Sequence, residues 1–227
     1  QQMGMRLLME FLTAHQLPLE LAIPLRRAYG DVALEVLKAN PYLLVGEEFG
    51  VEFSRADALA LDQGVGAEDP QRLEAGLLFE LAHNNLNNGH TFLPRRKLVE
   101  ATGMLLEVSG ELLEESLETL ESRGEVECQE VAGQEAVYLP ALFEAETLIA
   151  RRIREMCESE LTPPQGLDKL IDRIQRRQHI TYAPQQRQAV ELAARCQVML
   201  LTGGPGTGKT TCLRGVLALF EEMGLET

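Results

Sequence analysis

The run from Gly203 to Thr211 gathers glycines, an ammonium and hydroxyls in one short stretch. It fits G-x-x-x-x-G-K-[ST], with Gly203 first, Gly208 last, and Lys209 and Thr210 following. The chemistry this order serves is the holding of a polyphosphate. Gly203, Gly204, Pro205, Gly206, Thr207 and Gly208 present little side chain, so backbone N–H groups can close on phosphate oxygens. Lys209 can set its ammonium on the β- and γ-phosphates. The Thr210 hydroxyl can bind Mg²⁺, and a helix starting at Thr210 and Thr211 points its positive end at the anion. Lys209 and Thr210 are therefore the candidate catalytic residues, and ATP and Mg²⁺ the implied cofactors.

Such a loop needs an element on each side. Val198 to Leu201 is an apolar run of buried-strand type, and Leu213, Val216, Leu217 and Phe220 have helical spacing. The alternative, a chance glycine-rich turn, does not account for a strand before and a helix after.

The 227 residues suffice for one or two packed domains and part of another. A hydrophobic content of 45% with 25% charged residues is ordinary for a globular protein. No apolar run approaches the ~20 residues of a membrane span, and no leader pattern opens the chain, so a cytoplasmic location is expected. The opening residues look like a cut end. The net charge of −14 excludes a uniform nucleic-acid coat but leaves room for a small basic site. Cys128, Cys157, Cys196 and Cys212 lack metal-ligand spacing and read as reduced thiols.

Four segments follow. Residues 1–89 read as a helical region. Asp31 is expected to cap a helix from Val32 to Ala39, Ser54 to cap another, and Asp69-Pro70 to open a longer one. Residues 90–140 read as helix, helix, hairpin, a winged-helix-like order. There Pro94 to Thr102 forms a helix stopped by Gly103, Glu111 to Arg123 a second, and two strands flank Ala132-Gly133-Gln134. Residues 141–181 read as a connecting helix and linker, and residues 182–227 as the start of an α/β motor domain. The fold class expected is thus a mainly α N-terminal region with a short β-hairpin, followed by the start of a P-loop domain.

The segment Tyr182-Ala183-Pro184-Gln185-Gln186 lies just ahead of the loop, with Gln186 seventeen residues before Gly203. It resembles the Q-motif of superfamily 1 helicases. That resemblance implies that Gln186 bonds the adenine edge, for which an amide offers donor and acceptor together. The run Leu200-Leu201-Thr202 into the loop resembles the RecD-like branch. So do Tyr29 to Leu44, Phe53 to Leu61 and Gly89 to Ala101, which look like the N-terminal region of the longer RecD-like DNA helicases. The resemblance covers about Leu17 to Thr211. It implies a DNA-dependent ATPase of recombination or repair that moves 5′ to 3′ on single-stranded DNA.

Helix-hairpin-helix modules of that family carry two hairpin glycines; here Gly50 is present, but Glu52 stands in the second place. The hairpins are therefore expected to be structural first. Gly50, Arg55, Arg95, Arg96 and Lys97 are the candidate DNA contacts. Residues 107–135 hold ten glutamates and one arginine. A helix presenting Glu111, Glu114, Glu115, Glu118 and Glu121 repels phosphate and suits a basic protein partner instead. The arginines 151, 152, 154, 173, 176 and 177 read as linker charges or contacts to a motor body. No acidic pair for Mg²⁺, no transition-state arginine and no second motor lobe can be placed; Glu221-Glu222 read as an exposed helix end. The parent is expected to be an enzyme and this stretch alone inactive, with disorder or non-native packing from Tyr182 onward. Another P-loop ATPase, or a protein-docking adaptor with a vestigial loop, remain the competing readings.

Overall fold

The computed structural model describes residues 2–46, 48–159 and 161–226. It divides into two compact units, 1–145 and 146–227, and among the described residues it is mainly helical. Among the described residues no helix is long and apolar enough to cross a membrane.

The first unit begins with α1 (Gln2–Ala14), α2 (Ala22–Tyr29), α3 (Ala33–Ala39) and α4 (Phe53–Asp62). Leu8, Leu12, Leu25, Leu37, Leu44 and Leu59 bury one core between them. Asp31 does not cap α3; it sits in a 3-10 turn and accepts from the Arg26 guanidinium at 2.6 Å. Ser54 does not cap α4 either, because the helix already starts at Phe53. Tyr42 and Phe53 stack with centroids 5.8 Å apart, which draws the start of α4 inward.

α5 (Pro70–Asn88) opens as expected, with Asp69 Oδ1 accepting from the Gln71 N–H at 2.9 Å and Pro70 in the first turn. It ends at Gly89, whose φ of 69° is the left-handed turn that glycine tolerates. α6 (Arg95–Leu106) runs on through Gly103 and stops at Glu107, itself left-handed at φ 58°. Gly103 is thus an interior packing residue, not a stop. A Cβ there would lie 3.3 Å from the Val108 carbonyl oxygen. α7 (Gly110–Ser122) then buries Leu113, Leu117 and Leu120.

β2 (Glu127–Val131) and β3 (Gln134–Tyr138) form an antiparallel hairpin around Ala132 and Gly133. Both turn residues have positive φ, 51° and 76°, which matches the twist of a two-residue hairpin. A strand not anticipated, β1 (Phe92–Pro94), pairs with the far side of β3 and sets Leu93 opposite Val137. It is only three residues long and ends in proline, too short for alternation to reveal. α4, α5, α6, α7 and the sheet share a second core that includes Phe53, Ala56, Leu77, Leu98, Leu117 and Val137.

One polar cluster lies among these elements. Arg72 grips Asp57 with two hydrogen bonds of 2.8 and 2.9 Å and also donates to the Ala67 and Leu106 carbonyls. The Tyr42 hydroxyl donates to Asp57 at 2.7 Å. Burial and the Asp57 carboxylate together push the Tyr42 hydroxyl up from its ordinary value. The Asp57 hydrogen bonds raise Arg72 despite its burial.

α8 (Pro140–Glu158) is the next helix along the chain. The second unit contains α9 (Leu167–Gln178), α10 (Pro184–Ala193) and α11 (Lys209–Glu222). They pack around Ile171, Ile174, Tyr182, Val190, Val216 and Leu219. The segment after Tyr182 packs as a helical layer that contains no sheet among the described residues. Val198 to Leu201 forms no strand. An extended run needs a neighbour for its N–H and C=O groups, none lies beside it among the described residues, and Leu200 is 90% exposed. Of the expected stripe on α11, Val216 is buried and Phe220 packs against the core, but Leu213 and Leu217 face solvent, and Cys212, Gly215, Ala218 and Leu219 complete the buried face. Gly215 is the reason: a Cβ there would overlap the buried Tyr182 hydroxyl, so this face of α11 is the one that lets the ring in.

Candidate nucleotide-binding site

The loop before α11 is shaped by two glycines. Gly206 has φ 76° and Gly208 φ 84°, both in the region that side chains resist. Gly208 is the N-cap of α11 and supplies no side-chain cap. The first intrahelical bond runs from the Cys212 N–H to the Gly208 carbonyl, so the N–H groups of Lys209, Thr210 and Thr211 have no intrahelical acceptor. That is an anion site made of backbone at the positive end of a fourteen-residue helix.

The side chains of the motif sit on this frame. Thr207 Oγ1 donates to the Gly204 carbonyl at 2.9 Å and braces the loop from inside. A Cβ on Gly203 would come within 2.7 Å of that hydroxyl oxygen, which is why glycine stands there. Lys209 Nζ reaches the carbonyls of Gly203 and Gly204 at 2.5 and 2.7 Å, so its ammonium lies across the loop. Thr210 is exposed at the helix start and Thr211 half-buried behind it. Pro205 lies at the exposed tip.

Gln186 is brought to the same place from α10. Its Oε1 accepts from the Ala183 N–H at 3.0 Å, and its Nε2 donates to the Thr207 carbonyl at 3.2 Å. Its amide lies so close to Gly208 that a Cβ on that glycine would overlap it. The sequence pointed to Gln186 but not to this bond, since twenty-one residues separate the partners. Tyr182, which the sequence did not single out, holds α10 against α11. Its hydroxyl is buried without a hydrogen-bond partner, and burial pushes its pKa up.

The loop residues and Gln186 thus converge within the second unit; the candidate DNA residues belong to the first unit. Gly50 has φ 64° in an exposed turn before α4. Arg55 is exposed on α4. Arg95 is committed to carboxylates, with Glu114 Oε2 at 2.6 Å, Glu135 Oε1 at 2.8 Å and Glu118 Oε1 at 3.9 Å. Burial opposes its charge, but the Glu114 and Glu135 hydrogen bonds outweigh that and raise its pKa. Arg96 and Lys97 are exposed and make no ion pair among the described residues. In the second unit, Arg173 and Arg177 reach Glu222 at 3.4 and 2.9 Å, so that glutamate, at the exposed end of α11, also ties α11 to α9. No cluster of His, Cys, Asp or Glu fit to hold a metal occurs among the described residues.

A glycine loop capping a helix, with an amide from the preceding helix bonded into it, defines the P-loop nucleotide-binding class. Within that class the chain is similar to RecD-like helicases. Residues 1–92 match the family model of the ATP-dependent RecD2 DNA helicase HHH domain, and residues 186–227 match an AAA domain model. The ATP-dependent RecD2 DNA helicase of Deinococcus radiodurans is 28% identical over 207 residues, covering 87% of this chain. The chain spans 28% of that relative's length.

Proposed function

We propose that this chain is the N-terminal part of an ATP-dependent DNA helicase of RecD-like type, carrying the first nucleotide-binding motif. The observation that carries the reading is the convergence of Gln186, Gly203 to Gly208 and the open start of α11 on one anion site. In that site Lys209 and the N–H groups of the loop and first helical turn hold the β- and γ-phosphates of ATP. The Thr210 hydroxyl is the Mg²⁺ ligand this stretch contributes. Gln186 reads the adenine edge once its amide turns from the Thr207 carbonyl. The mainly helical residues 1–89 are the helix-hairpin-helix region. Residues 90–140, two helices and a three-stranded sheet, are a winged-helix-like module. Residues 141–181 link these to the motor that begins at 182.

The DNA-bound activity is movement on single strands, 5′ to 3′, in the recombination and repair setting of cytoplasmic DNA helicases. By itself this stretch is expected to be inactive, because no acidic pair or transition-state arginine is assigned within it. The exposed glutamates from Glu111 to Glu121 suit a basic protein partner, although Arg95 already neutralises part of that face.

The test is ATP hydrolysis by the full-length protein with and without single-stranded DNA, beside Lys209→Ala. Strong stimulation by DNA, reduced at least ~100-fold in the variant, is expected. Hydrolysis indifferent to DNA points to another P-loop ATPase, and no hydrolysis points to an adaptor.

A further inference from the structure

Residues 81–99 contain no aspartate or glutamate, in a chain that has 35 of them. This window covers the end of α5, the loop to β1, β1 itself and the first turn of α6, and it holds His83, His90, Arg95, Arg96 and Lys97. The fold closes much of the window into one groove of about 810 Å³. Lys97, Ala101 and Met104 line it from one face of α6, with Asn84, His90 and Phe92 opposite and Gln134 at the hairpin tip. Glu100 is the single carboxylate on its wall. Lys97 and Arg96 make no ion pair among the described residues, whereas Arg95 is fully engaged. Met104 is 73% exposed, an apolar surface beside unpaired cations.

We infer that this groove is a single-stranded DNA subsite, with Lys97 and His90 on its wall and Arg96, exposed just outside its lining, meeting the backbone, and Phe92 and Met104 meeting bases. Unpaired cations next to an exposed methionine and a half-buried aromatic ring are the pairing that a flexible strand, with phosphates and unstacked bases, satisfies. A groove of this volume is in the range of about 300–1,000 Å³ that takes nucleotide-sized groups. A duplex is disfavoured because α7, the helix a winged module would lay in a major groove, presents Glu111, Glu115 and Glu118. The choice of DNA rests on the helicase reading; the groove and its charges stand apart from the nucleotide loop.

The experiment is fluorescence anisotropy of a labelled twelve-residue oligothymidine with the 227-residue chain. Binding should weaken with salt at a log–log slope between about −1.4 and −2.1, the value for two to three phosphate contacts on a single strand. Lys97→Glu and Arg96→Glu, both exposed and so compatible with the fold, should each cost about tenfold in affinity. Met104→Glu should cost about fivefold. Circular dichroism checks that the variants stay folded. Binding of a fluorescent ATP analogue should be unchanged in Lys97→Glu, which separates failure of this site from failure of the nucleotide site. Unaltered oligonucleotide binding in Lys97→Glu overturns the proposal. So does displacement by polyphosphate, at equal phosphate concentration, as effective as by unlabelled oligothymidine, because then bases contribute nothing.

Discussion

Gln186 uses both ends of one amide, the oxygen on its own helix start and the nitrogen on the Thr207 carbonyl. Gln186→Glu keeps the acceptor, removes the donor and sets a carboxylate against a carbonyl. Nucleotide affinity should fall about tenfold, about 1.4 kcal/mol, while the fold persists; equilibrium titration with a fluorescent ATP analogue measures it. An unchanged affinity would show that the bond to the loop has no part in binding. Cys128 gives a second prediction at this scale. Burial, helped by the Glu121 carboxylate, pushes its thiol up to about 11, while the unfolded chain's value is ~8.5. The folded state therefore holds the proton longer. The stabilisation this thiol contributes is fully present below ~8.5 and is lost as pH rises through about 11. At pH 8.5, iodoacetamide should modify the exposed Cys157 well before Cys128, as peptide mass spectrometry can follow.

Between elements, the closest fit is that of Tyr182 against Gly215. Gly215→Ala adds a methyl where the hydroxyl sits, and overpacking of this kind costs about 1–3 kcal/mol, more than the alanine gains in helix propensity. Tyr182→Phe removes a buried hydroxyl that has no partner, so it should leave the second unit as stable or more so. Thermal melts of both variants read the two signs. What the sequence made legible follows the same division between local and distant causes. Asp69-Pro70 announces α5 because cap and proline act within one turn. The glycine loop and Gln186 are legible because phosphate chemistry dictates their spacing. Ser54, Gly103 and the Leu213 end of the stripe mislead because tertiary packing decides them: Phe53 is drawn under Tyr42, Leu113 and Val108 crowd Gly103, and Tyr182 selects the Gly215 face of α11. The pairing of Arg95 with Glu114 and Glu135 spans nineteen and forty residues, beyond any local pattern. Val198 to Leu201 has strand composition, yet composition alone cannot provide the neighbour that makes a strand.

At the scale of the first unit, Asp57 and Arg72 form a buried ion pair with side chains only 15% and 8% exposed. Removing one partner strands the other charge. Asp57→Ala should destabilise the unit by about 3–5 kcal/mol in urea unfolding, whereas the double change Asp57→Leu with Arg72→Met should recover much of that loss. If the single and double variants were equally destabilised, the cost would lie in lost shape and not in an orphaned guanidinium. α4 adds a consequence of its own. It gives Leu59 to the α1–α3 core and Phe53, Ala56 and Ala60 to the core beneath the sheet, so neither core can open without losing part of its wall. The slowest-exchanging amides of α1 and of α7 should thus share one opening free energy and respond together to denaturant, as a single cooperative foldon, even though the two helices belong to different cores.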